Sequence, residues 1–166
     1  MDEKKIIDIY DEAVTFFPEF MSMTGKMASK ASGRTLEVGV GTGLLTKKLL
    51  ENTNISELEL IEPSRDFIIK FSEKFPKIKI KQCDGLYYRG NKPHDTIVMN
   101  LVYHHIRDKD KLEFLKNMYI NLAQKGKLII GDLFIPNYNT EIERDFSLRK
   151  FHNFRIKRIN NPKIRG

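Results

Sequence analysis

The sequence predicts an α/β fold: a parallel sheet of about five strands, covered by helices on both faces, with helices ahead of the first strand. Three observations carry this reading. Short apolar runs alternate with amphipathic segments of helical period, the pattern of strand–helix–strand units. The first run passes directly into a glycine-rich turn, "TLEVGVGTGLL" at 35–45. The run "DTIVMN" at 95–100 is built on the unbroken apolar triplet Ile97, Val98 and Met99, as suits a central strand buried on both faces. A length of 166 residues, 40% hydrophobic and 31% charged, fits one globular domain. Residues 1–31 read as an N-terminal helical cap, 32–136 as the core, and 137–166 as a basic C-terminal helix and tail.

The elements follow in order. Residues 3–13 and 17–30 read as helices, with Ile6, Ile7 and Tyr10, then Phe20, Met21 and Met27, on their apolar faces. "RTLEVGV" is a strand, the glycine loop follows, and "LLTKKLLEN" is a short helix. "ELELIE" (57–62) is a second strand, stopped by Pro63, and Ser64 caps the helix "RDFIIKFSEKF", where Phe67, Phe71 and Phe75 share one face. "KIKIKQC" (77–83) alternates isoleucine with lysine, as an edge strand does to discourage foreign pairing. "DTIVMN" is the fourth strand. A helix from about Asp108 to Gln124 buries Leu112, Leu115, Met118 and Leu122, and "KLIIGDLFI" (127–135) is the fifth strand. Thr140 and Glu143 form a capping box for a last helix.

Charge narrows the partners. The net charge is +7, and the excess lies in the tail: from Phe146 onward there are Arg149, Lys150, Arg155, Lys157, Arg158, Lys163 and Arg165 and no acid. Such a tail can contact phosphates, so nucleic acid stays open, although a solvated helix face is the favoured reading. No apolar run approaches a membrane span, and the charged N-terminus "MDEKKIIDIYDEAV" is no signal peptide. Cys83 is the only cysteine, which fits a reducing cytoplasm and reads as a small buried hydrophobe in a strand.

The turn chemistry points to a ligand. Gly39, Gly41 and Gly43 sit between the first strand and its helix, where glycine lets a ligand approach the backbone and the helix start offers N–H groups. The nicotinamide fingerprint needs glycine at 44, which is leucine. Glu37 lies inside an otherwise apolar strand, a costly place for a carboxylate without donors or a cation. It either accepts hydrogen bonds from the loop or, with the loop, holds an aminoacyl group. Glu62 ends strand two, 23 residues after Gly39, where a carboxylate can take both hydroxyls of a ribose. Asp84 ends strand three, suited to an adenine amine, and Asn100 ends strand four. Four polar strand ends on one rim outweigh the turn-former reading of any one.

These pieces together resemble the class I S-adenosylmethionine-dependent methyltransferases: "LEVGVGTG", "ELELIEPS", "IKQCDG", "DTIVMNLVYHHI" and "LAQKGKLIIGDLFIP", in that order. The resemblance covers roughly residues 30–136. It implies a Rossmann-like doubly wound sheet and S-adenosylmethionine as cofactor. Gly39, Gly41 and Gly43 would line its methionine part with Glu37 in support, Glu62 would bind the ribose, Asp84 with Gly85 the adenine, and Asn100 would lie near the sulfonium. The reaction implied is in-line displacement at an activated methyl group, in which the protein orients and excludes water.

A base is needed only where the nucleophile carries a proton. His104 and His105 are the candidates, against the alternative that one packs or caps the next helix. Two adjacent histidines without cysteine or carboxylate partners are a poor ligand set, so no metal site is expected. The proline motif of nucleic-acid amino-methyltransferases is absent, since Asn100 is followed by Leu101, Val102 and Tyr103. "NLVYHHI" looks more like the small-molecule branch that includes ubiquinone and menaquinone enzymes, and Tyr10 and Phe17 could form a lid. Two other readings stay open: a cofactor-binding or RNA-associated module with little activity alone, and an NAD(P)-binding oxidoreductase. The resemblance also implies a sixth strand and an antiparallel seventh; "FRIKRI" could be a short strand, but most of the C-terminal stretch reads as helix and "NNPKIRG" offers little for a partner. Five strands are therefore expected, the fifth exposing its edge; either the chain is a piece of a longer protein or another chain covers that edge, as in a homodimer.

Overall fold

The computed structural model describes residues 18–134 and 138–159, with side chains up to residue 150. The expected helix at 3–13, with Ile6, Ile7 and Tyr10, lies outside the described residues, as do Phe17, Ile135 and the last stretch of the tail. Two compact units meet between Asp132 and Leu133.

In the first unit the first described element is α1 (Pro18–Lys30), which buries Thr24, Met27 and Ala28. Met21 is 39% exposed, a correction to its expected burial. The buried stripe runs instead through Thr24, whose hydroxyl donates to the Phe20 carbonyl at 2.7 Å and so tolerates an apolar setting. There follow β1 (Gly33–Val38), α2 (Leu44–Leu50), β2 (Ile55–Glu62), α3 (Arg65–Lys74), β3 (Lys81–Gln82), β4 (His94–Asn100), α4 (Asp108–Ile120) and β5 (Leu122–Gly131). All pairings are parallel, in the order β3-β2-β1-β4-β5. The strand order therefore reverses between β1 and β4, and ligands in such sheets bind outside the carboxyl ends at that point. Among the described residues β5 pairs on one side only.

The strands alternate faces. Leu36, Val38, Ile97 and Met99 pack with Phe114 and Met118 of α4. On the opposite face Val98 packs with Met27, Ala28, Leu45 and Leu49, and Leu60 with Val40 and Phe71. The Ser64 hydroxyl accepts from the Phe67 N–H at 3.5 Å, the expected cap of α3.

Three expectations need correction. The edge strand β3 is two residues long, although Ile78 and Ile80 still pack against the Leu60–Phe71 cluster. Cys83 follows it, half-buried, rather than lying within it. The buried face of α4 is Phe114, Asn117 and Met118, while Leu112 is 66% exposed. Asn117 hides that phase from a hydrophobic pattern, because its amide is buried only by donating to the carbonyls of Gly85, Leu86 and Tyr88 at 2.8, 3.1 and 3.0 Å. Leu122 belongs to β5, which starts earlier than expected and ends at Gly131. Leu122 pairs His94 and Lys127 pairs Thr96, so the intervening residues bulge, with Lys125 at φ 68°.

In the second unit α5 spans Glu141–Ile159, so "FRIKRI" is helical through Ile159 and not a strand. The Thr140 hydroxyl accepts from the Glu143 N–H at 3.2 Å, and the Glu143 carboxylate accepts from the Asn139 N–H at 2.7 Å. The expected capping box thus reaches one residue farther back.

Candidate active site

The loops after β1, β2 and β4 enclose a cavity of about 330 Å³ beside the reversal point, within the ~300–1,000 Å³ usual for small-molecule sites. Of the residues expected from the sequence, Glu37, Gly39, Gly41, Glu62, Asn100 and His105 line it. Thr42, Leu44, Leu45, Ser64, Phe67 and Val102 add to the wall. Gly43, Asp84, Gly85 and His104 are not among its lining residues.

The glycine loop owes its shape to three positive φ angles. At Gly39 (φ 71°) a Cβ would strike the Val102 side chain at 2.4 Å, so this glycine lets two loops close on each other. At Gly41 (φ 57°) a Cβ would meet nothing within 4 Å: the space in front of it is open cavity. Gly43 turns the other way, toward Phe71 and Phe75, and starts α2. Its role lies behind the loop.

Two buried carboxylates face the cavity. Glu62 is fixed through both oxygens, which accept from the Gly41 N–H at 2.9 Å and the Ser64 N–H at 3.0 Å. Burial raises its pKa above the ordinary carboxylate range despite these donors. Glu37, on the opposite strand face from Leu36 and Val38, is 1% exposed and accepts from the Thr46 hydroxyl at 2.7 Å. Its described partners are thus the hydroxyl and backbone N–H of Thr46 in α2 and not the glycine loop, contrary to the first of the two sequence readings. Burial, opposed by the Thr46 bond and helped by the charge of Glu62, pushes its pKa up to about 8. Among the described residues that line the cavity there is no lysine or arginine.

Asn100 ends β4 with its amide nitrogen donating to the Thr24 hydroxyl at 3.4 Å, while its buried Oδ1 has no partner. The next residue, Leu101, has φ 56° and its N–H donates to the Gly131 carbonyl at 2.7 Å. A non-glycine residue in that region is uncommon; here it throws Val102 back against Gly39. His105 is on the cavity wall with its pKa lowered by burial and by the charge of His104. The His104 ring lies 3.9 Å from it, centroid to centroid, and bonds Asp132. Asp84 is exposed, its Oδ1 accepting from the Leu86 N–H at 2.8 Å. Gly85 is buried, a Cβ there striking Phe114 and Val38.

Sequence reasoning missed Thr46 and Asp132. Both belong to short polar–apolar stretches, "LLTKKLL" and "IIGDLFI", that read simply as helix and strand. Among the described residues no group of three or more histidines, cysteines and carboxylates is placed to hold a metal ion.

The sequence pattern of the methyltransferase domain matches residues 36–128, more than half of the chain. The chain belongs to the methyltransferase-domain family. An uncharacterized methyltransferase of Geobacillus sp. (strain WCH70) is 38% identical over 136 residues, covering 75% of this chain and 62% of that protein. One from Staphylococcus carnosus (strain TM300) is 28% identical over 139 residues, covering 82% and 66%. The chain thus spans about two thirds or less of the length of these methyltransferases. Among solved structures the fold is similar to that of DhpI in its SAM–HEP complex (TM-score 0.68, 16% identity, 86% of this chain and 67% of that one). It is also similar to the N-methyltransferase NodS from Bradyrhizobium japonicum WM9 with S-adenosyl-l-homocysteine (TM-score 0.60, 21% identity, 69% and 61%). The fold is that of the class I methyltransferases, and the strand order agrees with it.

Proposed function

We propose that this methyltransferase domain binds S-adenosylmethionine in the cavity and transfers its methyl group to a small-molecule acceptor. The observation that carries this reading is the pairing of two buried carboxylates, Glu37 and Glu62, with no lysine or arginine among the described residues of the same wall. Such a wall suits a ligand bearing positive charge and hydroxyl donors, and disfavours phosphate-rich dinucleotides. The orphaned Asn100 Oδ1 adds an acceptor dipole, and the open space before Gly41 admits a close ligand.

In this reading Glu62, pre-set by two backbone donors, takes the ribose hydroxyls. Glu37 and the loop at Gly39 and Gly41 hold the aminoacyl end, with Asn100 near the sulfonium. Asp84, whose second oxygen has no partner among the described residues, takes the adenine amine, with Gly85 beside it. Gly43 supports the loop from behind. The cofactor supplies a methyl group already activated by positive sulfur. The protein's part is orientation, exclusion of water and, for a protonated nucleophile, a histidine base.

The acceptor class follows from resemblance. "NLVYHHI" points to quinone-type and natural-product acceptors, and NodS, of similar fold, is an N-methyltransferase. A screen of phenols, quinols and amines with labelled S-adenosylmethionine tests both. Labelled product in either class supports the reading. Transfer only to RNA would replace it with the nucleic-acid reading of the basic tail.

A further inference from the structure

The two histidines that the sequence leaves as alternatives are held very differently. Asp132 directly follows β5 and its side chain is 1% exposed. Its Oδ2 accepts the His104 backbone N–H at 3.1 Å and its Oδ1 meets His104 Nδ1 at 2.6 Å. An ionised carboxylate can only accept, so Nδ1 carries the hydrogen. In the neutral ring the lone pair therefore sits on Nε2. No described protein atom bonds Nε2, and the side chain is 36% exposed. His105 makes no hydrogen bond to a carboxylate among the described residues and lies on the cavity wall, where burial disfavours its charged form more than the nearby Asp132 charge favours it.

We propose that Asp132 is a positioning residue that makes Nε2 of His104 the proton acceptor beside the cavity, where its ring lies against that of the wall residue His105. This rests on the methyl-transfer reading. As the acceptor's nucleophilic atom bonds the methyl carbon, the carbon–sulfur bond breaks and its electron pair goes to sulfur. The proton shed by the nucleophile moves to His104 Nε2. The resulting imidazolium is stabilised by the Asp132 carboxylate across Nδ1–H, and the exposed ring then returns the proton to water. A carboxylate that fixes tautomer and ring orientation is the usual way a histidine base is prepared.

The test uses the full chain with ¹⁵N-labelled histidine at pH 8, as wild type, Asp132→Ala and Asp132→Asn. Nitrogen NMR should show the Nδ1–H tautomer at His104 in wild type and the Nε2–H form in Asp132→Ala. Diethylpyrocarbonate, which acylates the basic ring nitrogen, should modify His104 faster than His105 in wild type. That rate should fall at least fivefold in both variants, while S-adenosylhomocysteine affinity by calorimetry stays within twofold. If Asp132→Ala fails to fold, Asp132→Asn carries the rate comparison. An Nε2–H tautomer in wild type, or an unchanged acylation rate in the variants, overturns the proposal. Absence of binding heat in all three proteins overturns the methyl-transfer reading instead, and the tautomer result keeps the two failures apart.

Discussion

Glu37 should make the free protein lose stability as pH rises, which is opposite to the usual behaviour of a carboxylate. Its pKa stands at about 8 in the folded chain against an ordinary 4.5. The folded state therefore holds a proton that the unfolded state has already released across this window. Stability is full below pH 4.5 and falls as pH rises toward 8, with a slope of about 1.4 kcal/mol per pH unit. Over the whole window the loss is on the order of 4–5 kcal/mol, a large share of the roughly 5–15 kcal/mol that holds a domain together. Glu62, raised in the same direction by burial, adds to the slope. Glu37→Gln preserves the hydrogen bond to Thr46 and removes the titration. Urea denaturation between pH 5 and 9, compared at constant m-value, should show wild type declining. The variant should be flatter and more stable by several kcal/mol at pH 8. Parallel profiles for the two proteins would refute the assignment of a buried, protonated Glu37.

Three further substitutions test the frame around it. Gly41→Val should abolish S-adenosylmethionine binding while the protein remains folded. The side chain enters open cavity, and the left-handed backbone costs about 1–2 kcal/mol; undiminished affinity by calorimetry would remove the loop from the site. Glu62→Ala should weaken S-adenosylmethionine and S-adenosylhomocysteine by similar amounts, about 1.5–3 kcal/mol for hydrogen bonds to a charged acceptor. A tenfold difference between the two ligands would mean that Glu62 does not bind the shared ribose. Phe71→Ala, at a ring with no exposed surface stacked on Phe75 at 4.8 Å, should cost about 3–5 kcal/mol in denaturation midpoints; a loss below 1 kcal/mol would contradict its place in the core.

Most of the frame is legible in local sequence because its signals are local. The glycine loop, the Ser64 cap and the polar residues ending the strands are each set by neighbours a few positions away. What escapes is set by partners distant in sequence. Asn117 reads as a surface residue until the carbonyls of Gly85 to Tyr88 are brought to its amide, and this alone shifts the buried face of α4. Thr46 gains its meaning from Glu37, and Asp132 from His104, 28 positions away. The two-residue β3 is another such case: the alternation of Ile78 and Ile80 is real, but their side chains pack on the Leu60–Phe71 cluster while the backbone leaves the sheet.

The cavity's charge balance can be tested by titration calorimetry of the free chain at pH 7 with S-adenosylmethionine, S-adenosylhomocysteine and NAD, each in two buffers of different ionisation enthalpy. A wall of two buried carboxylates without a basic partner among the described residues predicts saturable binding of the first two and none of NAD. It also predicts release of a proton when the cationic end of S-adenosylmethionine draws Glu37 into its charged form. NAD binding as tightly as S-adenosylmethionine, or S-adenosylmethionine binding with no buffer-dependent heat, would contradict it.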